Sequence, residues 1–171
     1  MFKRVNSGIR FLVGIALCVL VRLVPHPPNF EPVLGFTLPF AKKYGKYFGL
    51  AFAVLAMASI DFVTGRLGWW TVYTAGAYGV IGFIAGVWGK NLVGFTRTAG
   101  FTVAATLFFD ATTAFLFGMQ FNQPLAVTFA GQVPFTAMHL AGNLFFVLAV
   151  SPLVSRFLVQ DYAPAAVRAA S

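Results

Sequence analysis

The sequence predicts an all-α polytopic membrane protein with six transmembrane helices, forming a single domain over residues 1–171. Three observations carry that expectation. Of the 171 residues, 59% are hydrophobic and only 9% charged, whereas a soluble domain carries about 25% charged residues. The mean hydropathy is +0.83. The basic residues fall between apolar runs and not within them. This composition excludes a soluble enzyme, a nucleic-acid binder and a disordered tail, and the formal charge of +8 then serves to orient the chain in a bilayer. The single cysteine, Cys18, precludes a disulfide within the chain.

The first run, 11–21, follows Lys3, Arg4 and Arg10 as a signal peptide would, but no small-x-small cleavage site follows it. It reads as an uncleaved helix with Arg22 near its far end. Residues 25–32, Pro-His-Pro-Pro-Asn-Phe-Glu-Pro, cannot form a regular helix, since four prolines remove donors and hold their predecessors extended. They are expected to make a stiff outer loop dipping over the bundle. The second run, 31–41, spans only about 17 Å of a ~30 Å hydrocarbon core. A short, irregular second helix is therefore expected, walling a pocket.

Charge decides whether that short run crosses. With six crossings and the N-terminus inside, ten of the twelve Lys and Arg residues face the cytoplasm, and only Arg22 and Arg66 lie outside. Without the second crossing, four would lie inside and eight outside. The positive-inside bias selects six spans with both termini cytoplasmic. The remaining runs are 44–60, 69–88, 100–118 and 134–154. Trp69, Trp70 and Tyr73 open the fourth at the outer interface and Trp88 closes it at the inner one, as an aromatic belt requires. A second irregular outer segment is expected from Met119 through Pro124 to Gln132.

Polar residues at membrane depth turn toward the bundle interior. Asp110 lies in the fifth run, and His139 and Asn143 share one face of the sixth, four residues apart. The three are expected to converge in the outer half, either contacting a ligand or bonding one another to hold helices together. Small residues form stripes at Gly45, Gly49 and Ala53 and at Gly14 and Cys18, which suit either close packing within the chain or docking of another membrane protein.

Catalytic and energising motifs are missing. The sequence has no G-x-x-x-x-G-K-[ST] loop, no Gly-x-Ser-x-Gly elbow, no His-Glu-x-x-His helix and no metal-ligand spacing. Four acidic residues, Glu31, Asp61, Asp110 and Asp161, lie in different segments without a motif. No enzyme activity, cofactor or metal is expected; an intramembrane enzyme and a structural or assembly protein without a small ligand are the competing readings.

The pattern resembles the S components of energy-coupling factor (ECF) transporters. The residues that carry the likeness are Arg22-Leu23-Val24-Pro25, Pro28-Asn29-Phe30-Glu31-Pro32-Val33, Asp61 with Gly65, and Pro134-Phe135 with Gly142-Asn143. They are similar to an uncharacterised branch of that superfamily, from which Asp110 departs where an amide is expected. The resemblance implies a substrate-binding subunit in a prokaryotic cell membrane, taking up a vitamin-like small molecule with a membrane T component and two cytoplasmic ATPase subunits. It implies partner contacts at Gly14, Cys18, Gly45, Gly49 and Ala53. The members that carry nickel and cobalt begin Met-His, whereas this chain begins Met1-Phe2, which argues against a metal cargo. The aromatic mouth (Phe30, Phe36, Trp69, Trp70, Tyr73 and Phe121) suits a flat heterocycle, and the expected binding set is Asn29, Phe30, Glu31, Trp70, Tyr73, Asp110, Gln132, His139 and Asn143.

The topology yields a direct test. In a Cys18→Ser background, Thr64→Cys should react with a membrane-impermeant thiol reagent from outside intact cells, and Lys43→Cys should not. The reverse pattern would sink the six-span arrangement.

Overall fold

The computed structural model describes residues 6–159; Lys3, Arg4, Asp161 and Arg168 lie outside the described residues. Six helices follow in order: α1 (Ser7–Leu23), α2 (Val33–Tyr44), α3 (Lys46–Val63), α4 (Trp69–Trp88), α5 (Phe95–Gln120) and α6 (Leu125–Phe145). The last runs on through a π-helical turn (Phe146–Val150), a short α segment (Ser151–Val154) and a second π-helical turn (Ser155–Val159). No strand occurs among the described residues. Pro152 in the short segment has no N–H to donate into the ladder, and wider turns absorb such a gap.

Successive helices alternate in direction. Arg22 at the end of α1, Trp70 at the start of α4, and Asn29, Thr64 and Arg66 from the α1–α2 and α3–α4 connections line one cavity at what we term the mouth end. At the opposite, basic end, the Arg10 guanidinium donates to the Val159 carbonyl at 3.0 Å, and Lys42 donates to the Leu92 carbonyl.

Four helical stretches are long and apolar enough to cross a membrane: Lys46–Val63, Trp69–Trp88, Phe95–Gln120 and Leu125–Val159. Their outward surfaces stay apolar, with Leu55, Val72, Val80 and Phe115 among the exposed side chains. An apolar exterior around a core that contains polar groups suits lipid as solvent.

The second helix is short, as expected, but regular. Pro39 lies inside α2 and removes one hydrogen bond without ending the helix. Every residue from 32 to 41 is buried, so packing on all sides holds the turn that proline weakens. The expected irregular segment before the last helix shrinks to the connection at 121–124, because α6 begins at Leu125 directly after Pro124. Pro124 takes the helix-start role that the sequence reading gave to Pro134, which instead sits inside the helix.

The glycine stripes are spent inside the chain. A Cβ on Gly49 would lie 2.2 Å from the Gly82 carbonyl oxygen, and one on Gly82 would lie 2.2 Å from the Gly49 carbonyl oxygen. Thus α3 and α4 touch backbone to backbone. Cys18 and Ala53 are fully buried, and Gly14 faces the rings of Phe40 and Phe52. These four residues are consequently not open to a partner helix. Gly45, by contrast, sits at the α2–α3 joint with φ +92°; its side-chain position is open, although its backbone lies against Gly86.

This packing predicts an asymmetry between glycines. Gly49→Ala should lower thermal stability by at least about 2 kcal/mol, the scale of overpacking against a rigid neighbour. Gly76→Ala, on the open face of α4, should leave the melting temperature unchanged or raise it. Equal melting temperatures for the two variants would contradict the backbone contact.

Candidate functional site

The Pro-rich connection between α1 and α2 fills the space that the short second helix leaves. His26 Nδ1 donates to the Pro27 carbonyl at 2.7 Å, and His26 Nε2 accepts from the Arg22 guanidinium. Asn29 turns the chain with φ 61°, a left-handed conformation that Asn tolerates. Phe30 then packs on Phe145 and Phe146, with ring centroids 5.3 and 5.1 Å away. Gly142 permits this approach: a Cβ there would lie 2.8 Å from Phe30 Cα.

The loop thereby delivers Glu31 to the helix core. One carboxylate oxygen of Glu31 lies 3.6 Å from the Arg22 guanidinium, and the other accepts from the Tyr78 hydroxyl at 3.2 Å. Tyr78 lies 3.0 Å from His139 Nε2, and His139 Nδ1 lies 2.6 Å from Asp110 Oδ1. A continuous polar chain thus runs from Arg22 to Asp110, drawing on α1, the first loop, α4, α5 and α6. Tyr78 and His139 are each 1% exposed and Asp110 2%, so water competes little and each bond is strengthened.

Asn143 completes the cluster from the next turn of α6. Its Nδ2 donates to Thr106 Oγ1 at 3.0 Å, while that hydroxyl donates to the Thr102 carbonyl at 2.8 Å. Asp110 Oδ2 and Asn143 Oδ1 are buried without a hydrogen-bond partner. Phe109 and Phe135 approach the His139 ring with centroids 5.2 and 5.8 Å away.

On the other side of these two rings is a cavity of about 380 Å³ at the mouth end. Its walls carry Arg22, Glu31, Asp61 and Arg66 as charged groups and Trp70, Phe109 and Phe135 as rings. The Thr71 hydroxyl donates to Asp61 Oδ2 at 2.6 Å, which holds that carboxylate in place at the head of α4.

The expected convergence of Asp110, His139 and Asn143 is present, with Asp110 and His139 bonded to each other. Asn29, Glu31 and Trp70 line the mouth cavity. Gln132 instead lines a separate cleft with Trp70 and Phe117. Phe30 is spent on packing against Phe145 and Phe146, and Tyr73, half-buried, belongs to none of the cavities described. The expected aromatic mouth is not assembled as one group: Phe36 is buried in the core, whereas Trp69 and Phe121 are 67% and 61% exposed. Sequence reasoning missed Tyr78, although a large hydroxylated ring among Ala75, Ala77 and Gly79 is a sign of an inward position. It also missed Thr102 and Thr106, which precede Asp110 at four-residue spacing on one face of α5.

The architecture defines a multi-pass helical membrane protein with a buried polar core and a charged, aromatic-walled cavity at one end. The chain belongs to a family of unknown function, DUF6580, which it matches over residues 3–162. Neither the curated proteins nor the solved structures include a match.

Among the described residues Tyr78 links Glu31 to His139, so its hydroxyl should be worth measurable stability. Tyr78→Phe should cost about 1–3 kcal/mol by stranding buried polar groups, seen as a lower melting temperature in detergent. Tyr73→Phe should change little. Matching values for the two variants would remove Tyr78 from its bridging role.

Proposed function

We propose that this protein is the substrate-binding subunit of an ECF-type uptake transporter, spanning a prokaryotic cell membrane six times with both termini in the cytoplasm. The observation that carries the reading is the mouth cavity. Its two guanidinium groups and two carboxylates balance, and three rings line it. Such a site suits a small, flat heterocycle that is neutral or zwitterionic, and its volume of about 380 Å³ lies within the range of small-molecule pockets. Arg22, Arg66, Glu31 and Asp61 would meet polar groups on the ligand, and Trp70 would stack on its face.

The absence of a P-loop in the sequence supports dependence on separate ATPase subunits and a membrane T component. Of the five residues that the resemblance implies for docking that component, Gly14, Cys18, Gly49 and Ala53 are packed within the chain, and Gly45 is half-buried at the α2–α3 joint; a partner helix would then rest on the surface around them. An enzyme reading draws on the carboxylate–imidazole–hydroxyl order of Asp110, His139 and Tyr78. It is disfavoured because the Tyr78 hydroxyl is buried and bonded between Glu31 and His139, leaving no nucleophile presented to a substrate.

Native mass spectrometry of gently purified protein should detect a co-purified small molecule in the wild type. Arg66→Ala and Trp70→Ala should each reduce its occupancy at least about tenfold, the equivalent of ~1.4 kcal/mol, whereas Phe121→Ala should retain it. Undiminished ligand in both cavity variants would refute the assignment of the mouth cavity as the binding site.

A further inference from the structure

We infer that the buried chain Glu31–Tyr78–His139–Asp110 is a binding site for one proton beyond those its members carry as two carboxylates, a phenol and a neutral imidazole. The argument is a count of hydrogens. Three contacts link the four groups: Glu31 to Tyr78 at 3.2 Å, Tyr78 to His139 at 3.0 Å and His139 to Asp110 at 2.6 Å. Each contact places two electronegative atoms at hydrogen-bond distance and needs one hydrogen between them. The phenol supplies one and a neutral imidazole supplies one. Two carboxylates supply none.

One additional proton completes the set in any of three arrangements. An imidazolium donates from both ring nitrogens, to Asp110 and to Tyr78, while Tyr78 donates to Glu31. Alternatively, a protonated Asp110 donates to His139 Nδ1, His139 Nε2 donates to Tyr78, and Tyr78 donates to Glu31. In the third, a protonated Glu31 donates to Tyr78, Tyr78 donates to His139 Nε2, and Nδ1 donates to Asp110. The proton count and total charge are the same in all three.

Charge balance points the same way. Around the chain, α1 contributes Arg22, which faces Glu31 at 3.6 Å; the first loop contributes Glu31 and also His26, which is bonded to Arg22. From α2 the buried polar group is Thr37, which does not titrate, and α3 contributes Asp61, held by Thr71. Arg66 stands at the mouth cavity. From α4, α5 and α6 the buried titratable groups are Tyr78, Asp110 and His139 themselves. Arg22 offsets Glu31, so Asp110 is left as a buried carboxylate whose one hydrogen-bond contact is His139. Its second oxygen has no hydrogen-bond partner among the described residues. The added proton makes the inner end of the chain neutral, which a low-dielectric interior demands.

Two measurements test this. In a His26→Gln protein, whose single remaining histidine is His139, nitrogen-15 NMR of the ring at neutral pH is read together with the infrared carboxylic-acid band. Either a doubly protonated His139 ring or a protonated-carboxyl band abolished by Asp110→Asn or Glu31→Gln is the expected result. A neutral ring with no such band would overturn the inference. The second measurement uses Asp110→Asn, whose amide N–H can supply the missing hydrogen to His139 Nδ1 with no added proton. In that variant the His139 ring should be neutral, with no protonated-carboxyl band from the chain. A doubly protonated ring or a persisting band there would also overturn the inference.

Discussion

Residues 32–41 are buried without interruption, which leaves α2 no outward face before its last turn. Twelve residues rise only about 18 Å, so the helix cannot fill the depth of the bundle around it. The neighbouring connection must occupy the remainder. It does so with prolines, which need fewer hydrogen-bond partners than other residues, and with Phe30, which seats against the α6 continuation. The short helix therefore accounts for the depth of the first loop, and the loop for the presence of a glutamate among the helices.

Once Glu31 is inside, its surroundings follow from the cost of burying charge. Arg22 sits at the end of α1 within reach of it, and Tyr78 takes its other oxygen. Asp110 presents the same problem from α5, and His139 from α6 meets one of its two oxygens. The two solutions share Tyr78 and His139, so four helices and a loop are joined by polar contacts where dispersion alone would leave their mutual rotation loosely fixed. Close glycine contact between α3 and α4 supplies the opposite kind of rigidity, set by backbone shape.

The helix positions were legible from apolar runs and the charges between them, because lipid tolerates few charged residues within a span. Asp110, His139 and Asn143 were legible for the same reason. Helix ends were less so: α5 starts at Phe95 and α6 at Leu125, well before the runs read from hydropathy, since Thr, Gly and Gln dilute an apolar signal without interrupting a helix. Stripes such as Gly49 and Ala53 reveal that something approaches closely but not what. Tyr78 was hidden because a tyrosine in a membrane helix reads equally as an interfacial anchor, and only the positions of Glu31 and His139, distant in sequence, show which way it faces.

The helical stretch from Leu125 to Val159 has 35 residues, about 52 Å at 1.5 Å per residue. A tilt of 40°, near the upper end of the usual range, would fit only about 39 Å of helix into a 30 Å hydrocarbon layer. The stretch is therefore longer than a single straight crossing requires. With Arg156 at headgroup level, an upright crossing of ~20 residues reaches the opposite boundary near Thr136. Phe135 would then lie at the waterline, and His139 one turn beneath it, in the layer where a side chain passes from water to oil.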